Sequence, residues 1–235
     1  MTPASSILDP HSDPALYVAA VLTLYSYWRS SASYRVRIAL KLKGCAYQYE
    51  AVHLVRDGGV QYSDSYRQLN PESRVPTLVS GSLHLTQSMA ILEWLEETYP
   101  APALLPKDAA GRARVRGLAQ LFAADVQPLQ NLGALRYLKD GLHVDAAGVR
   151  QWLQHWISRG LAAFEAHLAE APAGRYCHGE QLSLADVCLV PQCYAARRNG
   201  IETGAYPNIT RIEALLQLLP AFIEAAPDKQ PDAER

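Results

Sequence analysis

The chain has 235 residues, 49% of them hydrophobic, with a formal net charge of −1. That composition supports a proper folded core and excludes disorder over most of the length. A balance this near neutrality also argues against nucleic acid as the main partner, because phosphate binding needs an excess of cations.

Residues 1 to about 20 read as a flexible N-terminal extension, rich in Pro, Ser and Asp. They carry Asp9 and Asp13 but no Lys or Arg, so the basic start of a secretory signal is missing. The apolar run Ala15–Trp28 is shorter than the roughly 20 residues that cross a bilayer, so no membrane association is expected. Val21–Tyr27 then predicts a buried strand, closed by the polar turn Arg29-Ser30-Ser31. From Ser33 the period becomes helical, with Val36, Ala39, Leu40 and Lys43 on one face and Gly44 as the stop.

Tyr47–Leu54 alternates as a second strand that includes His53, and Arg56–Gly59 is a loop. Val75–Val79 is a third strand, and Ser80–Ser82 turns it into a fourth, Leu83–Thr86, which carries His84. Both histidines read as structural. Gln87–Thr98 is helical, with Met89, Leu92 and Leu95 on one stripe. The Pro-rich Tyr99–Pro106 reads as a linker, after which strand signals vanish and Arg112–Leu138, Ala146–Ala169 and Leu184–Asn199 carry helical periods. The expectation is an α/β domain over residues 21–101 followed by an all-α domain over 107–235. Within the latter, Leu182–Val187 spells a capping box, with Ser183 as N-cap and Asp186 three residues on.

Cys45, Cys177, Cys188 and Cys193 form no CxxC pair and lack neighbouring His at zinc spacing, so reduced thiols in a cytoplasmic protein are expected, and no metal site. The chemistry points instead to the turn at Ser30 and Ser31. A helix N-terminus gathers unpaired N–H groups and about half a positive charge. Two hydroxyls stand in front of it, and Arg29, Arg35 and Arg37 add cations nearby. One reading is plain N-capping by Ser30, Ser31 or Ser33; the other is a corner that holds an anion, such as a thiolate.

Five segments, YSYWRSSASYRVRIALKLKG, LNPESRVPTLV, LTQSMAILEWLEETYP, QPLQNL and LADVCLVPQ, bear on that choice. Together they resemble the zeta class of glutathione transferases, in particular the maleylacetoacetate and maleylpyruvate isomerases, over nearly the whole chain from about Leu22. The resemblance implies a thioredoxin-like glutathione-binding domain, then an all-helical domain contributing the acidic-substrate site. It implies glutathione as cofactor, a small acidic substrate and a homodimer. The expected activity is cis-trans isomerisation of an unsaturated diketo acid, with glutathione transferase activity beside it. Alternatives are a general transferase or dehalogenase acting on small electrophilic acids, and a non-catalytic module of the same fold.

Residue by residue, the resemblance assigns Ser30, Ser31 and Arg198 to catalysis, with Ser30 donating to the glutathione sulfur. It places Ser30, Ser31, Ala32, Gln61, Val75, Pro76, Gln87, Ser88, Gln127 and Asn131 around glutathione. Arg29 and Arg198 are expected to hold the substrate carboxylates. Read without the resemblance, Gln61 is a solvated loop residue, and Gln127 and Asn131, four apart, share one helix face. Pro128 is expected to kink that helix. Arg197 reads as a surface charge, and Arg136 and His143 lie near enough to Asn131 to be considered. Three positions depart from the family pattern. Ala32 stands where many relatives have Cys, which removes any thiol at the turn; Tyr34 stands where Trp is frequent, and Gly133 where some have Ser.

Overall fold

The computed structural model describes residues 21–170 and 174–234, so the extension read over residues 1–20 lies outside it. Strand β1, Leu22–Ser26, buries Leu22, Leu24 and Ser26 on alternate positions, as the two-residue period requires. It pairs in parallel with β2, Tyr47–Ala51, and antiparallel with β3, Thr77–Ser80. A hairpin adds β4, Leu83–Leu85, giving the sheet order β2-β1-β3-β4. Helix α1, Ser31–Leu42, is the crossover between β1 and β2. It starts where the Oγ of Ser30 accepts from the N–H of Ser33 (3.2 Å) and stops before Gly44, which has φ +66°. Helix α2, Asp64–Leu69, and helix α3, Ser88–Thr98, complete the thioredoxin-like unit.

Two boundaries differ from the sequence expectation. β2 ends at Ala51, so His53 lies beyond the strand; its Nδ1 accepts from the N–H groups of Val55 and Arg56. β3 begins at Thr77 because Pro76 has no N–H to give the ladder, and the Val75–Pro76 peptide is cis. Short α2 was not expected at all.

The helical part opens with α4, Ala109–Gln120, which continues through a wide-turned stretch, Leu121–Val126, to Gln127–Leu129. The widening falls just before Pro128, where a missing N–H breaks the regular ladder. The chain then breaks: Asn131 is extended (φ −68°, ψ 145°) and its Oδ1 accepts from the N–H of Gly133, capping α5, Leu132–Arg136. Gln127 and Asn131 therefore do not share a helix. Helix α6 spans Ala146–Glu170 and α7 spans Leu184–Arg198. Two further helices, α8 (Pro207–Leu216) and α9 (Pro220–Ala225), extend beyond the last one read from sequence.

The capping box forms: the N–H of Ser183 donates to the Asp186 carboxylate (2.9 Å), as does its Oγ–H (2.7 Å). The N–H of Cys177 donates to the same carboxylate (2.9 Å), so this fully buried acid has three donors.

Both parts share one hydrophobic cluster, running from Leu24, Ile38 and Leu40 through Phe122 and Phe164 to Val187 and Ile212. Each such side chain, fully buried, contributes about 1.5–3 kcal/mol. Helix α1 sits at its centre and packs against α3, α7 and α9. That enclosure decides where its arginines go. Arg35 and Arg37 are both buried. Arg37 donates to the carbonyls of Trp28 (2.8 Å) and Ala225 (3.0 Å) and to the Ser26 hydroxyl (3.2 Å). It thereby fixes the turn from which Arg29 and Ser30 project.

Candidate active site

Three adjoining cavities form one groove along the seam between the sheet and the helices, sharing wall residues from each to the next. At one end, a cavity of ≈ 120 Å³ is lined by Arg29, Ser30 and Ser31 from the β1–α1 turn, Gln127 and Asn131 from the break after α4, and Arg198 from the last turn of α7. The middle cavity, ≈ 480 Å³, joins Ser30, Gln61, Val75, Gln87, Gln127 and Asn131. The far end, ≈ 310 Å³, is lined by Ala32, Val75, Pro76, Gln87, Ser88, Gln127 and Asn131. The structure thus places every residue that the resemblance assigned to catalysis, glutathione or substrate along this one groove. Gln127 and Asn131 both face it despite the break between them, because the wide turns and the extended Asn131 bring them to the same side.

The two serines are held differently. The Oγ of Ser30 accepts from the N–H of Ser33, which leaves its own O–H free to donate into the groove. The Ser31 hydroxyl is directed to the Pro191 carbonyl on α7 at 3.5 Å. N-capping and anion binding by Ser30 are therefore compatible, one using the oxygen and the other the hydrogen.

Arg29 lies beside the Trp28 and Tyr27 rings, with its guanidinium carbon 5.4 and 5.7 Å from their centroids. Arg198 is an exposed residue of α7. Desolvation and then the like charge of Arg29 push it below the ordinary arginine value. Among the described residues neither arginine forms an ion pair with a carboxylate. Two cations side by side without an acid make a place for an anionic ligand. Arg197 points elsewhere: it lies at the surface and pairs through two nitrogens with both oxygens of buried Glu213, at 2.7 Å each.

Gln61 corrects the sequence reading of a solvated loop residue. It is 3% exposed, its Nε2 donates to the Leu54 carbonyl (3.2 Å), and its Oε1 has no partner. At the far end Gln87 has φ 62° and ψ 110°, a conformation costing a non-glycine residue about 1–3 kcal/mol. It opens α3, whose first residue, Ser88, accepts a hydrogen bond from Arg35.

Several wall residues escaped the sequence reading. Tyr27, Leu54 and Gln130 line the first cavity, and Asn70, Glu72 and Arg74 line the far one. Glu72 and Arg74 stand just before the Val75-Pro76 pair in the same short segment, so proximity to that motif was the available signal. Arg136 touches the groove wall, donating to the Leu54 carbonyl at 3.4 Å, whereas His143 is exposed and lines none of the three cavities.

Comparison with known proteins shows the family. Residues 20–97 match the model of the glutathione S-transferase N-terminal domain, and residues 146–215 that of the C-terminal domain. A probable maleylacetoacetate isomerase of Vibrio cholerae is 50% identical over 212 residues, 90% of this chain and 98% of the relative. The chain belongs to the glutathione S-transferase family. Among other members, the maleylpyruvate isomerase of a Ralstonia species is 47% identical, covering 90% of this chain and all of that one. A solved maleylpyruvate isomerase, described as a bacterial glutathione S-transferase of the zeta class, superposes with a TM-score of 0.87 at 47% identity, over 90% of this chain and 100% of that one. The maleylacetoacetate isomerase of Anaeromyxobacter dehalogenans, solved with glutathione in its active site, gives 0.82 at 47% identity, over 91% and 98%.

Proposed function

We propose that this chain is a glutathione-dependent cis-trans isomerase of an unsaturated diketo acid of the maleylacetoacetate or maleylpyruvate type. The observation that carries this reading is the pair of arginines without carboxylate partners, Arg29 and Arg198, flanking the free Ser30 hydroxyl at one end of the groove. An acid held there by its carboxylate lies next to whatever Ser30 activates. The names of the similar proteins support the same reaction class.

The groove's polar groups suit glutathione. A hydroxyl donor faces the first cavity at Ser30, a buried oxygen without a partner sits at Gln61 in the middle, and a helix N-terminus backed by a cation ends the groove at Ser88. These match, in order, a thiol, a peptide amide and a carboxylate. Val75, Gln87, Ser88 and Gln61 hold the tripeptide from the sheet side, and Gln127 and Asn131 close over it from the helices.

When bound, glutathione supplies a thiolate for reversible addition to the cis double bond, and it leaves unchanged after rotation and elimination. Ser30 keeps the sulfur ionised by donating its O–H, a charge-assisted bond that contributes about 1.5–3 kcal/mol. The N-terminus of α1 adds its half charge without reorganising. Arg29 and Arg198 hold the substrate carboxylates, which fixes the double bond against the sulfur. Ala32 contributes backbone only, so the chain brings no thiol of its own to the turn.

We place the enzyme in the cytoplasm as a homodimer. The four cysteines are free thiols, as a reducing compartment requires, and among the described residues no helix is long and apolar enough to cross a membrane. Family resemblance supports the dimer. The test is an assay of both cis acids with and without glutathione. The expected result is trans product only when glutathione is present; trans product at equal rate without it would defeat the reading, and halide release from α-halo acids as the sole activity would replace it with dehalogenation.

A further inference from the structure

Arg35 is the anomaly of helix α1. It is 2% exposed, and among the described residues it forms no ion pair with a carboxylate. Its Nε has no partner, and the hydrogen bond it makes runs from Nη1 to the Oγ of Ser88 (3.2 Å). Arg37, two residues on, shows what a structural arginine in this helix looks like: its guanidinium is spread over three backbone carbonyls and a hydroxyl. An uncompensated buried cation costs several kcal/mol, so a fold that retains one calls for a compensating anion. Burial holds Arg35 below the ordinary arginine value, as expected of a cation without a carboxylate partner.

Among the described residues, the hydrogen-bond partner of Arg35 points to where that anion sits. Ser88 lines the far end of the groove at the N-terminus of α3. Its oxygen accepts from Arg35, so its O–H is free to donate outward, and the cation behind strengthens that donation. We propose that Arg35 is the buried counter-charge for the γ-glutamyl carboxylate of glutathione, acting through Ser88 as a positioning residue. This rests on reading the groove as a glutathione site. Two other charges line the same end. Glu72 is engaged by the Thr86 hydroxyl (3.0 Å) and the Gln87 amide, and Arg74 is exposed, where water screens it. Through one intervening hydroxyl in partly dehydrated protein, a buried cation changes anion affinity by about tenfold or more.

The test is calorimetric titration of the full chain with two peptides. One is glutathione; the other is 4-aminobutyryl-Cys-Gly, which lacks only the α-carboxylate of the first residue. Wild type is expected to bind the second peptide about tenfold more weakly. Arg35→Met is expected to weaken glutathione by about that factor and the second peptide hardly at all, so that most of the discrimination is lost. Arg35→Gln can still donate to Ser88 but carries no charge; it should also lose most of the discrimination, and it decides the matter if the Met variant does not fold. Arg74→Met should keep the discrimination. A folded Arg35 variant that weakens both peptides equally, with discrimination intact, would show a merely structural arginine and overturn the proposal. Discrimination lost on Arg74→Met but kept in the Arg35 variants would overturn it in favour of the exposed cation. Wild type that binds both peptides equally overturns it as well, whereas wild type that binds neither overturns the glutathione reading itself.

Discussion

Arg198→Ala lowers kcat/KM for the diketo acid by about 10- to 100-fold while leaving the affinity for glutathione nearly unchanged. The magnitude is that of one charge-assisted contact, about 1.5–3 kcal/mol. It sits at the lower end for an arginine–carboxylate pair because Arg198 is exposed in the free protein and water screens it. The separation of effects follows from geometry. Arg198 lines the first cavity with Arg29 and Ser30, while Val75, Gln87 and Ser88 line the cavities beyond. The loss should appear in both KM and kcat, since a substrate tethered at one carboxylate no longer holds its double bond against the sulfur. Steady-state kinetics beside calorimetry with glutathione checks this. An equal loss of glutathione affinity would mean that Arg198 belongs to the cofactor site.

Ser30→Ala raises the pKa of the bound thiol by about one to two units, since one charge-assisted hydrogen bond is lost at about 1.4 kcal/mol per unit. From a free cysteine value near 8.5, the thiolate is a minor species at neutral pH without help. Activity at pH 7 should therefore fall roughly 8- to 25-fold and recover in part as the pH rises. Some stabilisation remains, because the N-terminus of α1 is still there. The same substitution removes an N-cap, at about 1 kcal/mol of stability. Ser31→Ala should change the thiol much less, because the Ser31 hydroxyl is directed to the Pro191 carbonyl. Titration of the thiolate absorbance in the glutathione complex separates the two. A midpoint that moves with Ser31 and not with Ser30 reverses their roles.

The groove was legible in the sequence where local chemistry marks it. Ser30 precedes a helix, Val75-Pro76 precedes a strand, and Gln87-Ser88 opens a helix; each is a boundary, and boundaries carry their own residue preferences. Long-range packing was not legible. Arg35 and Arg37 look like a cationic helix face, yet α7 and α9, some 150 to 190 residues on, close over that face and bury both. Gln61 looked solvated because nothing in its loop marks the turn of its side chain back onto the Leu54 carbonyl. The spacing of Gln127 and Asn131 suggested a shared helix; the break between them followed from Asn131 capping its own helix. Six-residue α2 is too short to show a period, although Ser63, whose Oγ accepts from the N–H of Tyr66, was a readable cap.

The central claim is that glutathione acts at the Ser30 corner as a catalyst and is returned. It is tested most directly by counting free thiol while the enzyme converts many equivalents of the cis acid. The account predicts trans product accumulating far beyond the amount of glutathione added, with the thiol concentration constant throughout. Loss of one thiol for each substrate consumed would contradict it and make the enzyme a conjugating transferase.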